Sequence, residues 1–435
     1  MFRSSEKQNP FGLAPAAMRR PTVIVGSLLA AAILVRCGGT ADVALSTAVV
    51  YEGATVIVGD GSDPIEDAAF VVDGGAFVAV GASGEVEAPE GASRVDLSGR
   101  TVIPALLDTH VHLSVEREAR IEDLQRRAWY GVSMAVSLGH DEGDATFALR
   151  DEEIAGAARS MTAGRGITRH EPGRSEVPYW IDTEEEGRAA VRELAAQEVD
   201  LVKIWVDDRN GQYEKMTPEL YGPVIEEAHQ HGLRVTAHIY DLEDAKGLLR
   251  AGIDAFAHGV REMDVDDELM ELVAERPNVW LVPNMGSRGA AVDLSWLSGT
   301  RTPEEIEALQ AGYQDNPARD EPFGIEARNL KRLSDAGMKI AMGTDGNGAF
   351  RPHIEMADMV AAGVSPHDVL VSATGAAAEF LERDDLGTIA AGKSADFVVL
   401  TANPLDDITN TRQIESVYLR GDRVDREGLS AGWTQ

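Results

Sequence analysis

Through the middle of the chain, as far as Glu382, eight short apolar runs recur, most of them followed by an amphipathic stretch, and this rhythm narrows the fold more than any other feature. The runs are Val102 to His112, Ser133 to Leu138, Arg159 to Gly164, Leu201 to Val206, Val235 to Tyr240, Ala255 to Val260, Val279 to Pro283 and Lys339 to Thr344. Between them lie helical patterns such as Glu184 to Gln197, Pro218 to His229, Leu242 to Ala251, Asp267 to Glu275 and His367 to Glu382, with Pro218 and Pro366 at helix-start positions. Strand and helix in alternation read as repeated βα units on a parallel sheet, and eight units are the number that closes a TIM barrel. The long connection from Pro283 to Lys339 contains a helix start at Pro303-Glu304-Glu305 and is expected to form a lid over the barrel mouth.

At both ends the texture changes. Short alternating runs at Thr55 to Val58, Ala69 to Val72 and Ala76 to Val80 are punctuated by Gly59-Asp60-Gly61 and Asp73-Gly74-Gly75, which are hairpin signals. Similar runs return at Ala395 to Leu400 and Ile414 to Leu419. The expected fold is therefore α/β: a (β/α)8 barrel over 101–384, and a small β-sandwich domain assembled from 41–100 and 385–430. A chain of 435 residues has room for a barrel of the usual ~250 residues and such a satellite. The first 40 residues read as a targeting segment, with Arg19 and Arg20 before the apolar run Pro21 to Val35. Cys37, followed by Gly38 and Gly39, resembles a lipoprotein processing site, although Arg36 stands where such sites want a small residue. Export to the cell envelope or periplasm, with membrane attachment only through this N-terminus and a lipid anchor at Cys37, is the expectation; a cytoplasmic protein is the alternative.

Composition excludes some chemistries. With 73 Asp and Glu against 40 Lys and Arg, the net charge is −33, which offers no basic surface for a nucleic acid. A single cysteine rules out an intrachain disulfide and a thiolate metal cage, so a metal site must be built from nitrogen and oxygen.

Such ligands stand at the ends of the predicted strands. His110 and His112, two residues apart on one strand, face the same way and can reach one metal. Lys203, His238, His258 and Asp345 each fall near the C-terminal end of a different strand, the rim on which a barrel gathers its catalytic groups. Lys203 lies in the apolar run Leu201-Val202-Lys203-Ile204-Trp205-Val206, where desolvation favours the neutral amine. A neutral lysine can take up carbon dioxide and become an anionic carbamate. Asp345 can bind a metal and accept a proton from a metal-bound water.

These residues carry a resemblance that spans nearly all of the chain after its N-terminal segment. The run Thr101-Val102-Ile103-Pro104-Ala105-Leu106-Leu107-Asp108-Thr109-His110-Val111-His112 is similar to the opening motif of the amidohydrolase superfamily, particularly its prolidase-like and imidazolonepropionase-related branch, with Ala105 where glycine is usual. Leu386-Gly387-Thr388-Ile389-Ala390-Ala391-Gly392-Lys393-Ser394-Ala395-Asp396 and Asn403-Pro404-Leu405 match its closing stretch. The resemblance implies two divalent metal ions, commonly zinc, with His110, His112 and Asp345 on one, His238 and His258 on the other, and carboxylated Lys203 bridging. A metal-bridging hydroxide would then attack a polarised carbonyl, and Asp345 would pass the proton to the leaving group.

Substrate contacts are expected from Tyr240, which shares the inward face of His238, from the rim histidines His140, His170 and His353, and from Arg169 and Arg288 as a carboxylate clamp. The leading expectation is hydrolysis of an amide in a small molecule that also bears a carboxylate, a dipeptide or N-acyl amino acid, as in an Xaa-Pro dipeptidase-like metallopeptidase. The same centre could cleave an ester, lactone, carbamate or phosphotriester. A non-catalytic envelope binding protein is the reading from another class, and retention of all six ligand positions weighs against it. Whether the chain forms a homo-oligomer stays open.

Overall fold

The computed structural model describes residues 47–434, so the targeting segment and Cys37 lie outside the described residues. Within it a barrel of parallel strands runs through Leu106–Val111, Val132–Ser137, Arg159–Thr162 continued by Ile167–Thr168, Val202–Trp205, Val235–His238, Ala255–Ala257, Trp280–Val282 and Lys339–Ile340. Neighbours pair in register along this order, for example Trp205 with His238 and His238 with Ala257. The ring closes between last and first: Thr109 N donates to Met342 O at 3.1 Å, and Asp345 N to His110 O at 2.8 Å. The α/β barrel expected from the alternating pattern is what forms.

Helices such as Glu184–Ala196 cover the outside, each presenting one apolar stripe. That helix starts where it does because Thr183 and Glu186 form a reciprocal capping box, and it buries Ala190, Val191 and Leu194. Leu194 and Val191 belong to the core that also holds Val202, Ile204 and Val235 of the barrel.

An eight-stranded sheet forms the second layer, the β-sandwich domain. Val49–Val56, Ile65–Asp73, Ala76–Ala82, Ser93–Asp96 and Thr101–Pro104 come from the N-terminal side; Phe397–Leu400, Ile414–Leu419 and Asp422–Arg423 come from the C-terminal side. The two sources meet where Thr101–Pro104 pairs antiparallel with Phe397–Leu400. One face is lined by aromatic rings, with Phe397 stacked on Tyr418 at 4.4 Å and Tyr51 on Phe70 at 4.9 Å.

Local departures from the sequence pattern have physical causes. The run Val102 to His112, read as one strand, splits at Ala105: its first half serves the β domain and Leu106–Val111 the barrel, with Ala105 N still donating to Asp396 O and Leu106 N already donating to Gly131 O. The helical run His367 to Glu382 splits into Pro366–Ser372 and Gly375–Phe380. Gly375 lies against the backbone of Gly59, where a Cβ would come within 2.2 Å of the Gly59 carbonyl oxygen, so the chain bends around that contact. The long connection after Pro283 carries helices Pro303–Gln310 and Asp320–Asp335. Its Leu294 and Leu297 pack into a cluster with Tyr130, Phe350 and Ile354.

Behind the second strand the fully buried Arg120 guanidinium donates to Asp141 Oδ1 at 3.0 Å and Oδ2 at 3.1 Å, and Ser137 Oγ donates to Asp141 at 2.8 Å. This pair ties the loop bearing His140 to helix Arg117–Trp129. Removing one partner of a buried pair strands the other charge, so Asp141→Ala is expected to cost about 3–5 kcal/mol. Chemical denaturation monitored by circular dichroism measures the loss.

Candidate metal centre

Closure of the barrel brings residues distant in sequence onto one point. Asp345 Oδ1 lies 2.8 Å from His112 Nε2 and 3.2 Å from His110 Nε2, and its Oδ2 lies 3.3 Å from His258 Nε2. His110, His258 and Asp345 offer ligand atoms that all lie within 4.8 Å of one another. Two of the three hold unusual backbone for residues with side chains, His258 at φ +92° and Asp345 at φ +48°, strain of the kind that collects at functional sites. Gly343 makes the approach feasible, since a Cβ there would sit 2.9 Å from the His110 nitrogen.

Tautomers decide what the arrangement can hold. His110 Nδ1–H donates to Asn284 Oδ1 at 2.9 Å, which leaves the Nε2 lone pair facing the Asp345 carboxylate. Burial lowers the His110 pKa to about 4 and drives His258 well below the ordinary imidazole value, so both rings are neutral. Burial alone would raise the Asp345 carboxyl; imidazoles of His110, His112 and His258 presenting N–H would outweigh it and hold the group well below the carboxylate range, and a bound cation would take that part when the rings are neutral. Neutral nitrogen lone pairs and an ionised carboxylate turned toward each other repel unless a cation lies between them. Neither ring nitrogen of buried His258 has a hydrogen-bond partner among the described residues, which fits the same conclusion.

Lys203 and His238 complete the set. Lys203 is fully buried, its Nζ has no hydrogen-bond partner among the described residues, and burial pulls its pKa down to about 7. Its Nζ lies 5.5 Å from the centroid of the Trp205 ring. That ring is wedged against glycine backbone: a Cβ on Gly166 would be 1.9 Å from Trp205 Cζ3. His238 turns Nε2 toward Asp207 Oδ2 at 2.9 Å, and its ring stands edge-on to His258 at 4.5 Å. The same Nε2 also meets Arg209 Nη1 at 2.8 Å, so it is engaged on the outer side by both residues and Nδ1 is the ring nitrogen left to face a cation. His110, His258 and Asp345 thus offer nitrogen and oxygen ligands that fit a divalent ion.

The predicted substrate contacts divide. His140 joins the centre, with Nδ1 3.2 Å from His112 Nδ1 and its ring 5.3 Å from Trp205; burial lowers its pKa to about 4. Tyr240 stands 38% exposed just past the fifth strand. His170 lies against Trp180 and pairs with Asp182 at 3.2 Å, away from these groups. Two of the remaining expectations, His353 and Arg169, are corrected. His353 is buried, with Nδ1 3.0 Å from Thr411 Oγ1 and Nε2 3.0 Å from the Tyr130 carbonyl, so it braces the scaffold. Arg169 is held by Asp182, Glu214 and the Ile181 carbonyl, and Arg288 lies 3.3 Å from Asp358. Arg169 is thus spent on these partners, whereas Arg288 Nε makes no hydrogen bond among the described residues and meets Asp358 as an ion pair alone.

Four contributors escaped the sequence reading: Asn284, Asp207, Arg209 and Asp108. Buried Asp108 accepts from Thr344 N at 3.0 Å and Thr344 Oγ1 at 2.8 Å, holding the turn that carries Asp345. Asn284 and Asp207 each sit just past a strand end, and that position next to a ligand-bearing strand is the one signal available for them.

A barrel whose rim gathers four histidines, a buried lysine and an aspartate defines a metal-dependent hydrolase. The profile of the Amidohydrolase family matches residues 101–424, and the chain belongs to that family. An imidazolonepropionase of Streptomyces griseus is 29% identical over 374 residues, covering 78% of this chain and 86% of its own length. An uncharacterized protein of Mycobacterium tuberculosis is 27% identical over 338 residues, 74% and 85% of the two chains. Among solved structures, a Bifidobacterium longum protein provisionally assigned as a prolidase superposes with a TM-score of 0.72 at 26% identity, covering 89% of this chain and 99% of that one. Phenylurea hydrolase B shares the fold at a TM-score of 0.71 and 23% identity over 88% and 98%.

Outer hydrogen bonds to ligating histidines typically carry 10–100-fold in metal affinity. Asn284→Ala, which frees the His110 ring, is expected to weaken metal binding by roughly 10- to 100-fold. Equilibrium dialysis against zinc, read by elemental analysis, checks this.

Proposed function

We propose that the enzyme hydrolyses an amide bond in a small molecule that carries a carboxylate, a dipeptide or N-acyl amino acid. The observation that carries the reading is the convergence of His110, His112, His258 and Asp345 on one point, with the buried amine of Lys203, its pKa lowered by burial, on a neighbouring strand end. Bound divalent ions would polarise the scissile carbonyl and acidify the attacking water. The chain's own residues do the rest. Asp345, ionised and within reach of three histidines, accepts the proton of the water and returns it to the departing amine. His140, kept neutral by burial, can donate or accept one hydrogen bond beside His112. Trp205, pinned by its glycine neighbours, keeps water from the Lys203 amine.

In support, the relatives include an imidazolonepropionase and the structural neighbours an Xaa-Pro dipeptidase with methionine in its active site. Asp345→Asn should abolish turnover of the most active member of a panel of dipeptides, N-acyl amino acids, aryl esters and lactones assayed with zinc. Near-normal activity removes the proton-transfer role, and a panel in which only esters or lactones turn over removes the amide reading.

Lys203 is proposed to be N-carboxylated and to bridge two ions. Only the neutral amine reacts with carbon dioxide. Because burial lowers the Lys203 pKa to about 7, the reactive form of the metal-free protein grows as pH rises through 7. With 13C-labelled bicarbonate, a carbamate carbon resonance is expected at pH 8, weaker at pH 6, and absent in Lys203→Ala.

A further inference from the structure

Two arginines at the strand ends next to the metal ligands have unspent hydrogen-bond donors. Arg261 follows His258 by three residues, and its backbone N–H donates to the Tyr240 carbonyl at 3.0 Å, which sets it beside that tyrosine. Its Nε and Nη2 are buried and have no hydrogen-bond partner among the described residues. These two nitrogens form one edge of the guanidinium, the edge that grips a carboxylate with two parallel hydrogen bonds. Glu326, whose carboxyl feels the Arg261 charge, spends one oxygen on Gly286 N at 2.8 Å.

Arg209 lies past the end of the fourth strand. Its Nη1 lies 2.5 Å from Asp207 Oδ2 and 2.8 Å from His238 Nε2, and its Nε lies 3.3 Å from Glu171 Oε1, while buried Nη2 has no hydrogen-bond partner among the described residues. It too holds a positive φ, +56°, so the backbone is bent to deliver it. A buried unpaired guanidinium edge costs free energy that a bound anion would recover.

We propose that Arg261, with Arg209 as a second donor and Tyr240 between their strands, binds the carboxylate of the substrate. The planar two-oxygen geometry of a carboxylate suits the Nε/Nη2 edge, and the position beside His238 and His258 places the amine half of an N-acyl amino acid on that side of the barrel mouth. This rests on the hydrolase reading above, and it assigns to Arg261 and Arg209 the recognition that the sequence led one to expect of Arg169 and Arg288.

Calorimetric titration of the zinc-loaded enzyme tests it with the N-acetyl derivatives of leucine, phenylalanine and proline and their carboxamides. At least one acid is expected to bind roughly 10- to 100-fold more tightly than its carboxamide. Arg261→Gln should erase that preference and Arg261→Lys, which keeps the charge and loses the fork, should retain part of it; melting curves verify that both variants fold. A preference that survives Arg261→Gln places the carboxylate on the metal and overturns the proposal, as does the absence of a preference in every pair. Hydrolysis is scored separately on the same compounds. Acids preferred but uncleaved would leave the clamp standing and remove the amide reading, whereas acids and carboxamides cleaved alike would do the reverse.

Discussion

Asp345 faces the Nε2 atoms of His110, His112 and His258 across 2.8 to 3.3 Å. The lone pairs of the buried His110 and His258 rings against an ionised carboxylate form an array that is unfavourable by itself, and much of the structure can be read as the means of holding it together. The residues come from the first, sixth and eighth strands, so only a closed barrel assembles them. Closure at this seam depends on Gly343, whose missing side chain lets the eighth strand pass against the His110 backbone. The seam is secured by the hydrogen bonds from Thr344 N and Asp345 N to His110 O, and by Asp108 gripping Thr344.

That grip has a cost of its own. Asp108 is fully buried, and burial raises its pKa to about 6, against the pull of Arg127 at 3.4 Å. Arg127 in turn donates to the Gly346 carbonyl, one residue beyond Asp345. A buried ion pair adds little to net stability when its desolvation is counted. Here it does something an apolar pair could not: its directional bonds hold the turn bearing Asp345 at a positive φ that the chain would otherwise relax.

The barrel, its strand ends and the residues His110, His258 and Asp345 that meet there were legible in the sequence because period, polarity and spacing are local properties. A histidine or lysine at the end of an apolar run is conspicuous wherever it falls. Arginines are different, since what each one does is set by whichever carboxylates the fold brings near. Arg169 meets Asp182 and Glu214 and is consumed by contacts that no local pattern reveals, and the ion-pair partner of Arg288, Asp358, lies far along the chain. Arg261 is the mirror case, since its lack of a partner is a tertiary fact. His353 looked like a rim residue from its place after the eighth strand, yet the helix Pro352–Ala361 turns it inward to Thr411.

The distribution of charge gives these arginines added weight. A chain with net charge −33 repels anions at long range, so electrostatic steering works against a carboxylate substrate in dilute salt. Such fields fade within about 10 Å at moderate ionic strength. Inside that distance the ligand meets Arg209, Arg261 and whatever cations the histidines hold, in a low-dielectric mouth where each charge counts for more. Selectivity for an acid must then reside in close, geometry-dependent contacts instead of the overall field. That is the situation in which an unpaired guanidinium edge, costly in the free enzyme, is worth keeping.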